Sequence, residues 1–302
     1  MPPESATAAA PARIAPRPDV ESTGSLSDGC RQFALEHRDN GRLLVNAEFA
    51  GLLRHNGLTI FDAIDRLPLG TIARQVGPRV TARLDLIDPQ NGQSRGFFIK
   101  KHGSYSLWEW MKPLFRLTRP ILGARNEWEA MLSFHRLGIP TMVPVALGES
   151  ASGSFVLTEA LEGRQRVDHW LEQNAAGSGK TAAERRQLIT AIAQMARTLH
   201  RAGLHHQDLY LCHFLMAADG PVDDLRVIDL GRVDRHGSLG TRWVVKDLAQ
   251  LHYSAGRLSN SDRMRFLQQY LGRRLTRADR ALIRRIDGKR HAIRRHSERN
   301  GL

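Results

Sequence analysis

Four charged residues stand in segments that suit the transfer of a phosphoryl group. They are Lys100 at the end of the apolar run FFIK, Glu127 in a stretch with helical periodicity, Asp208 in HHQDLYLCHFLM (205–216) and Asp229 at the end of VID (227–229). A transferring phosphoryl group needs little covalent assistance, so its catalysis consists of positioning and charge neutralisation. One lysine and two carboxylates could supply a cation for phosphates, a ligand for Mg²⁺ and an acceptor for a hydroxyl proton.

The order of these residues along the chain adds to their specificity. Each motif by itself is a weak signal, since strand ends, surface lysines and solvated glutamates are common. Together, Lys, helical Glu, His-x-Asp and Asp-x-Gly follow the order of the parts in a kinase-type phosphoryl-transfer site. In such a site Lys100 would bind the α- and β-phosphates of ATP and Glu127 would hold the lysine. Asp229 would bind Mg²⁺, and Asp208 would orient the acceptor hydroxyl as catalytic base.

The segments in the first half of the chain predict short strands. The pattern is strand-like from about residue 41 to residue 100, and the β-branched run 71–87 is broken by Gly77-Pro78, a turn signal. Further strands are predicted at 96–100, 142–149 and 154–159. These strands would carry Lys100 on a sheet.

The second half of the chain is predicted to be mainly helical. Apolar residues recur at three- and four-residue steps through Leu188, Ile192, Met195 and Leu199. Other helices are predicted at 126–137 and at about 241–256, 261–272 and 276–297. Strands followed by helices indicate an α+β protein in two lobes, a small strand-rich N-lobe at 41–160 and a helical C-lobe at 161–302. Residues 1–40 are predicted to be a disordered tail, because residues 1–30 are rich in Pro, Ala and Ser.

The composition is that of an ordinary globular protein of 302 residues, with 41% hydrophobic and 25% charged residues. The sequence contains no long apolar run and no basic-then-apolar leader, so neither a transmembrane helix nor a secretory signal is predicted. Cys30 and Cys212 lack the neighbours of a disulfide framework or a metal site, which makes a reducing cytoplasm the default.

The formal net charge of +13 is concentrated near the C-terminus. Residues 257–302 contain 14 Lys or Arg and only 4 Asp or Glu. This asymmetry predicts a partner with phosphates, such as nucleic acid, anionic lipid or a phosphorylated substrate, unless the segment is simply a solvated basic helix pair. We expect no nucleic acid, because few aromatic residues accompany the charges and single strands are bound by stacking on aromatic rings.

Six segments resemble the lipopolysaccharide kinase family, whose members phosphorylate heptose or Kdo in the inner core. The segments are FFIKKH (97–102), RPILGARNEWEAM (119–131), LGIPTMVPVALGE (137–149), HHQDLYLCHFLM (205–216), VIDLGRV (227–233) and KDLAQL (246–251). The most specific is the Asp-x-Tyr-x-x-His-Phe run, 208–214. The resemblance implies a two-lobed protein-kinase-like fold and the use of ATP and Mg²⁺. It further implies a core glycolipid as acceptor and a peripheral position at the inner face of the cytoplasmic membrane, with the basic C-terminal helices against anionic lipid.

The resemblance assigns Lys100, Asp208 and Asp229 the roles given above, and it makes Asp247 the residue that braces the catalytic loop from a helix. His213 stands five residues after Asp208, where protein kinases carry a metal-binding asparagine. We therefore include His213 as a second candidate metal ligand, although imidazole is a poor ligand for Mg²⁺ and could orient the loop instead.

Several alternatives stay open at this point. No G-x-G-x-x-G precedes Lys100, so the segment that covers the phosphates is not identified. That departure, together with His213, motivates a membrane-associated pseudokinase scaffold as one rival. An aminoglycoside- or choline-type small-molecule kinase is the other. The aromatic and basic segment SLWEWMKPLFRL (106–117) could either enter a membrane interface or pack on the N-lobe. The histidines near Cys212 lack a second ligand pair at zinc spacing.

Overall fold

The first half of the chain folds into one antiparallel sheet. The computed structural model describes residues 30–103, 123–174, 180–256 and 258–301. The seven strands are β1 (Leu35–Arg38), β2 (Leu43–Asn46), β3 (Ile72–Val76), β4 (Arg79–Ile87), β5 (Ser94–Gly103), β6 (Pro144–Ser150) and β7 (Gly153–Glu159). They lie in the order β1-β2-β6-β7-β5-β4-β3. β3 and β4 form the hairpin predicted around Gly77-Pro78, and their pairing begins at Val76 and Arg79.

Alternation along β5 decides which side chains reach each face of the sheet. Phe97 and Ile99 are fully buried in a core on one face. Phe98 and Lys100 point to the other face and line a cleft. Because successive side chains of a strand point to opposite faces, the apolar run that buries Phe97 and Ile99 also fixes the direction of Lys100. Lys100 pairs with Thr81 of β4 and with Val156 of β7.

Two short helices cover the far face of the sheet. They are α1 (Ala50–His55) and α2 (Phe61–Asp65), and they bury Leu53, Phe61 and Ile64 against the sheet. The sequence pattern had indicated strands throughout this region, so these helices are a correction. The segment is helical because its apolar side chains fill the space beneath the sheet, which a short local pattern does not reveal.

The second half of the chain is mainly helical, as predicted. After α3 (Arg125–Arg136) and the last sheet strands come α4 (Val167–Asn174), α5 (Lys180–Arg201), α6 (Thr241–Ser254), α7 (Asn260–Leu271) and α8 (Arg280–Asn300). The intervening short strands are β8 (Arg164–Arg166), β9 (Leu204–His205), β10 (Phe214–Ala217), β11 (Leu225–Val227) and β12 (Asp234–Arg235). They form one sheet in the order β11-β10-β8 and the pair β12-β9.

A second core joins the sheet to the helices. Trp128, Met131 and Phe134 of α3 are buried with Val156 of β7 and with the apolar faces of α5 and α6. α6 packs against α8, and α5 packs against α7. α3 thus connects the sheet to the helical half, and the side chains at its first turn face the space between them.

The α+β class is confirmed, while the N-terminal boundary is not. Leu35–Arg38 forms β1 and pairs with β2, so the predicted tail of residues 1–40 is too long at its C-terminal end. Residues 1–29 and the aromatic segment 106–117 lie outside the described residues. Within the described parts of the chain, none of the helices combines the length and apolar character that crossing a bilayer requires.

Candidate active site

Lys100, Glu127 and Asp229 meet although they are far apart in the chain. The Nζ atom of Lys100 lies 2.8 Å from Oε2 of Glu127 and 3.0 Å from Oδ1 of Asp229. β5 supplies the lysine, the first turn of α3 supplies the glutamate, and Asp229 stands just beyond β11 in a left-handed backbone conformation. Three of the predicted site residues are therefore in direct contact.

Burial and charge together set the protonation of this cluster. Burial by itself would lower the pKa of Lys100, but the carboxylates of Glu127 and Asp229 outweigh it and raise the pKa above its ordinary value. Burial would raise the pKa of Asp229, and the nearby Lys100 charge instead lowers it to about 2. At neutral pH the lysine is a cation and Asp229 a carboxylate. The side chain of Asp229 is 34% exposed, so its oxygens are accessible from the cleft.

α6 holds the loop that carries Asp208. The fully buried carboxylate of Asp247 accepts hydrogen bonds from the backbone N–H groups of His206 at 2.7 Å and Gln207 at 3.1 Å. Three residues further along α6, Gln250 accepts from the N–H of Leu209 at 3.0 Å and donates to the carbonyl of Gln207 at 2.6 Å. The loop on both sides of Asp208 is therefore fixed to one face of α6. This contact matches the bracing role that the family resemblance implies for Asp247.

Two histidines connect this loop to the strand that ends at Asp229. The ring of the buried His206 contacts the carbonyl of Ile228 through Nε2, at 3.3 Å. His213 donates from Nδ1 to the carbonyl of Asp208 at 2.7 Å, and its Nε2 lies 3.8 Å from Oδ2 of Asp229. The two predicted aspartates are thus joined through His213.

The protonation of His213 bears on its candidate role as a metal ligand. Burial by itself would lower the pKa of His213. Hydrogen bonds to the Cys212 side chain and the Asp208 carbonyl, with the charge of Asp229, raise the pKa to about 9. In this arrangement both ring nitrogens carry protons at neutral pH. The geometry favours a role for His213 in orienting the loop, and its ligation of metal stays a prediction.

Asp208 has a partner that the sequence did not predict. Nη1 of Arg232 donates to both carboxylate oxygens of Asp208, at 3.0 Å each. Arg232 follows the Asp-Leu-Gly motif directly and its side chain is about half exposed. Its position three residues after Asp229 was the sequence signal for a place near the site. The pairing with Asp208 depends on how the loop folds back.

The segment after Asp229 is fixed by α3. The side-chain amide of Asn126 donates to the carbonyls of Gly231 and Val233, at 3.0 Å each. A Cβ atom on Gly231 would lie 3.3 Å from Oε2 of Glu127, so a side chain at this position would crowd the ion pair. Neighbouring residues of one helix turn therefore hold both the lysine and the segment that carries Asp229.

These groups line a cleft of about 600 Å³ between the sheet and the helical half. Lys100, Glu127, Asp208, Asp229 and Arg232 form its polar side. Its apolar side comes from both halves and includes Phe98, Val156, Leu161, Leu215 and Ile228. A flat apolar group with a polyanionic tail would match this division of the lining into an apolar and a charged part.

Two arginines of the β3–β4 hairpin also line the cleft. Arg74 and Arg79 flank the turn at Gly77-Pro78. Nη2 of Arg79 lies 3.6 Å from the position of a Cβ on Gly231, the same distance as Nζ of Lys100. Among the described residues, no carboxylate forms an ion pair with Arg74 or Arg79. The sequence did not single them out, because two arginines on a pair of strands are usually interpreted as surface charges.

The donor set is suited to a hard divalent cation. Asp229 offers ionised carboxylate oxygens at the edge of the cleft, and Mg²⁺ prefers oxygen ligands with several waters retained. His213 offers nitrogen, which Mg²⁺ disfavours. The residues present therefore fit a magnesium ion held mainly through Asp229.

Comparison with known proteins supports a common origin over most of the chain. A family model described as the lipopolysaccharide kinase (Kdo/WaaP) family matches residues 94–270. The lipopolysaccharide core heptose(I) kinase WaaP of Pseudomonas aeruginosa is 37% identical over 250 residues, 78% of this chain and 88% of that protein. The protein of the same description from Escherichia coli K12 is 31% identical over 247 residues, 77% of this chain and 91% of that protein.

A solved structure is similar over the same extent. WaaP in complex with acyl carrier protein superimposes with a TM-score of 0.65 and 32% sequence identity. The match covers 83% of this chain and 98% of that one. The structural similarity therefore extends over most of this chain.

Proposed function

Because the chain belongs to the lipopolysaccharide kinase (Kdo/WaaP) family, we propose that it transfers the γ-phosphate of ATP to a sugar hydroxyl of the lipopolysaccharide inner core. Its similar relatives carry the description heptose(I) kinase, which favours heptose over Kdo as the acceptor sugar. We further propose that the sheet and the helical half are the N-lobe and C-lobe of a protein-kinase-like fold. The cleft between them would be the site of transfer.

One observation carries this proposal. Lys100 contacts Glu127 and Asp229 at 2.8 and 3.0 Å in the cleft that Asp208 also lines. A phosphoryl-transfer site requires this set, with a fixed cation for the phosphates, a carboxylate for the metal and a second carboxylate at the acceptor. A purely structural role would not explain why all four lie at one cleft.

Each residue has a distinct part in the proposed reaction. Lys100, held by Glu127, neutralises the α- and β-phosphates, and Arg79 and Arg74 approach the same phosphates from the hairpin. Asp229 would hold Mg²⁺, which would supply charge neutralisation at the phosphates when bound. Asp208 accepts a hydrogen bond from the acceptor hydroxyl and receives its proton during transfer. The apolar lining at Phe98, Val156 and Leu215 accommodates the purine base.

The basic surface suggests where the reaction takes place. We propose that the helical half lies against the inner face of the cytoplasmic membrane, with the basic residues of α8 near anionic headgroups. The acceptor is itself part of a glycolipid, so membrane contact would bring the two together. Since the similar structure is of WaaP in complex with acyl carrier protein, acyl carrier protein is a further proposed partner, tested by co-elution of the two purified proteins in gel filtration.

The test is phosphate transfer from γ-labelled ATP with Mg²⁺. The acceptors are dephosphorylated inner-core lipopolysaccharide and a panel of small amino-alcohols, and Asp208→Asn is the control variant. We expect label on the core sugar and a fall in rate of about 10²–10⁴-fold in the variant, because the amide does not accept the proton. Label only on an amino-alcohol would favour a small-molecule kinase. If the chain neither transfers phosphate nor binds ATP, the result would favour a pseudokinase scaffold.

A further inference from the structure

A second group of ligand-type side chains lies outside the cleft, where β9 meets β12. His205 of β9 is directly opposite Asp234 of β12, and His236 follows one residue beyond that strand. His205 is fully buried, while the side chains of Asp234 and His236 are 24% and 27% exposed. Neither the proposed reaction nor the family resemblance gives these residues a role.

The three side chains converge on one point. Nε2 of His205 lies 3.0 Å from Nε2 of His236, and Oδ2 of Asp234 lies 3.5 Å from the His236 nitrogen and 4.0 Å from the His205 nitrogen. Three atoms at these separations lie on a circle with a radius of about 2.1 Å, and zinc bonds imidazole nitrogen and carboxylate oxygen at about 2.0–2.2 Å. One ion at the centre would therefore be at bonding distance from all three.

The orientation of both rings is fixed by Trp243. Its indole stacks on His205 with ring centroids 4.5 Å apart and on His236 with centroids 5.7 Å apart. The stacking holds the two Nε2 atoms towards each other. Between these nitrogens a hydrogen bond can form only if one ring donates and the other accepts, whereas a metal ion satisfies both lone pairs at once.

We propose that His205, Asp234 and His236 bind one transition-metal ion, for which Zn²⁺ is the best match. Two imidazoles and one carboxylate form a donor set that suits zinc and disfavours Mg²⁺ or Ca²⁺. The partial exposure of Asp234 and His236 gives the ion a path from solvent and leaves a fourth position for water. Small rotations of these two side chains suffice to approach the tetrahedral geometry that zinc prefers.

The location indicates what the ion would do. β9 leads directly into the loop with Asp208, and β12 begins five residues after Asp229. A metal ion at the β9–β12 pair would cross-link the two segments that carry the predicted catalytic base and the predicted magnesium ligand. The proposal itself concerns metal binding and does not depend on the acceptor or on phosphate transfer.

The test uses the tag-free full-length chain, stripped with a chelator and then exposed to stoichiometric Zn²⁺ in a buffer with millimolar Mg²⁺. Magnesium in excess competes with zinc for the carboxylates of the cleft, and the variants described below assign any zinc that is retained to one site or the other. Zinc per chain is measured by mass spectrometry after gel filtration, and the thermal midpoint is measured in parallel. We expect one zinc per chain and a midpoint raised by about 5 °C, since a ligand that binds only the native state stabilises it.

His236→Ala and Asp234→Asn are the informative variants, because these partly exposed positions tolerate substitution better than the buried His205. Both should retain native circular dichroism and lose the zinc and the rise in midpoint. His37→Ala, an exposed histidine of β1, is the matched control and should retain both. The proposal is overturned if the wild-type chain keeps no zinc, or if folded His236→Ala and Asp234→Asn keep as much zinc as the control.

Discussion

Asp208 shares its carboxylate with Arg232, and this pairing has consequences for the reaction. The guanidinium holds both carboxylate oxygens in one orientation, and in the proposed reaction it would place a positive charge beside the phosphoryl group. An arginine at this position can align the base and stabilise charge on the phosphoryl oxygens. Because Arg232 is about half exposed and borders the cleft, both roles are open to it without rearrangement of the fold.

We predict that Arg232→Ala lowers kcat by about 10²-fold, the order of loss expected when a reacting group is misaligned. ATP affinity should change little, since the nucleotide would be held mainly by Lys100. Arg232→Lys keeps the charge but not the planar fork, and it should recover only part of the rate. Rates and nucleotide dissociation constants of the three proteins test this. A normal kcat in Arg232→Ala would rule out both roles, the alignment of Asp208 and the stabilisation of phosphoryl charge.

Arg79 is predicted to contribute to the binding of phosphates. It borders the cleft near Lys100 without an ion pair to a described carboxylate, so its charge is available to a ligand. Arg79→Ala should weaken ATP binding about tenfold, a loss of ~1.4 kcal/mol, and should leave adenosine binding unchanged. Calorimetry with both ligands measures the difference. The exposed Arg54 of α1 lies outside the cleft, and Arg54→Ala should bind both like the wild type. Equal losses for ATP and adenosine would contradict the assignment.

At the scale of elements, α6 supports the loop that carries Asp208. Asp247 and Gln250, one turn apart, accept or donate four hydrogen bonds to the backbone from His206 to Leu209. Asp247 also contacts Nε2 of His200 at 3.2 Å, which ties α5 to the same point. Buried carboxylates are tolerated only when such partners satisfy them, so the loop and the helix depend on each other.

Asp247→Asn should therefore reduce both stability and activity. An amide retains one acceptor oxygen and adds a donor that faces backbone N–H groups, which we expect to cost about 3 kcal/mol in the free energy of unfolding. Urea unfolding measures the loss. The exposed Asp85→Asn on β4 serves as the control and should change stability by less than about 0.5 kcal/mol. The rate of phosphate transfer should fall as well, even without urea where the variant is folded. A fully active variant would contradict the bracing role.

The sequence predicted those elements whose signals are local. The β3–β4 hairpin, β5, α3 and α5 follow from turn residues and periodicity. The proposed roles of Lys100, Glu127 and Asp229 rest on the order of these residues along the chain. α1 and α2, with six and five residues, are too short to show a period and are helical because the sheet buries their apolar side chains.

The contacts of Arg232, Arg79 and Asn126 could not be predicted in the same way. Each links segments that meet only after the two halves have packed, and the arginines are among 44 basic residues. Choosing the two that line a cleft requires the tertiary structure. The position of Gln250 could have been predicted more readily, because it lies three residues after Asp247 and therefore on the same helix face.

At the scale of the whole molecule, the charge is unevenly distributed and α8 carries a large part of it. The exposed basic residues of this helix include Arg284, Arg285, Arg295 and Arg299, which lie within a sector of about 100° around the helix axis. None of these four forms an ion pair with a described carboxylate. The opposite face holds Ile283, Ile286 and Ile293 against the core. α8 thus presents a continuous basic face to the outside.

We predict that this face binds anionic membranes. A basic side chain near an anionic surface contributes about 1 kcal/mol, so replacing the four arginines by glutamate should abolish cosedimentation with vesicles that contain anionic phospholipid. Wild-type binding should fall as salt is raised, because charges at the surface are screened over about 10 Å at 0.1 M. The control carries the same change in net charge on other exposed arginines: Arg54, Arg66, Arg136 and Arg186. If vesicle binding depends on where the charge lies, the control remains bound while the α8 variant does not. Equal loss of vesicle binding in both variants would show that net charge alone determines binding. α8 would then not be the membrane-facing element.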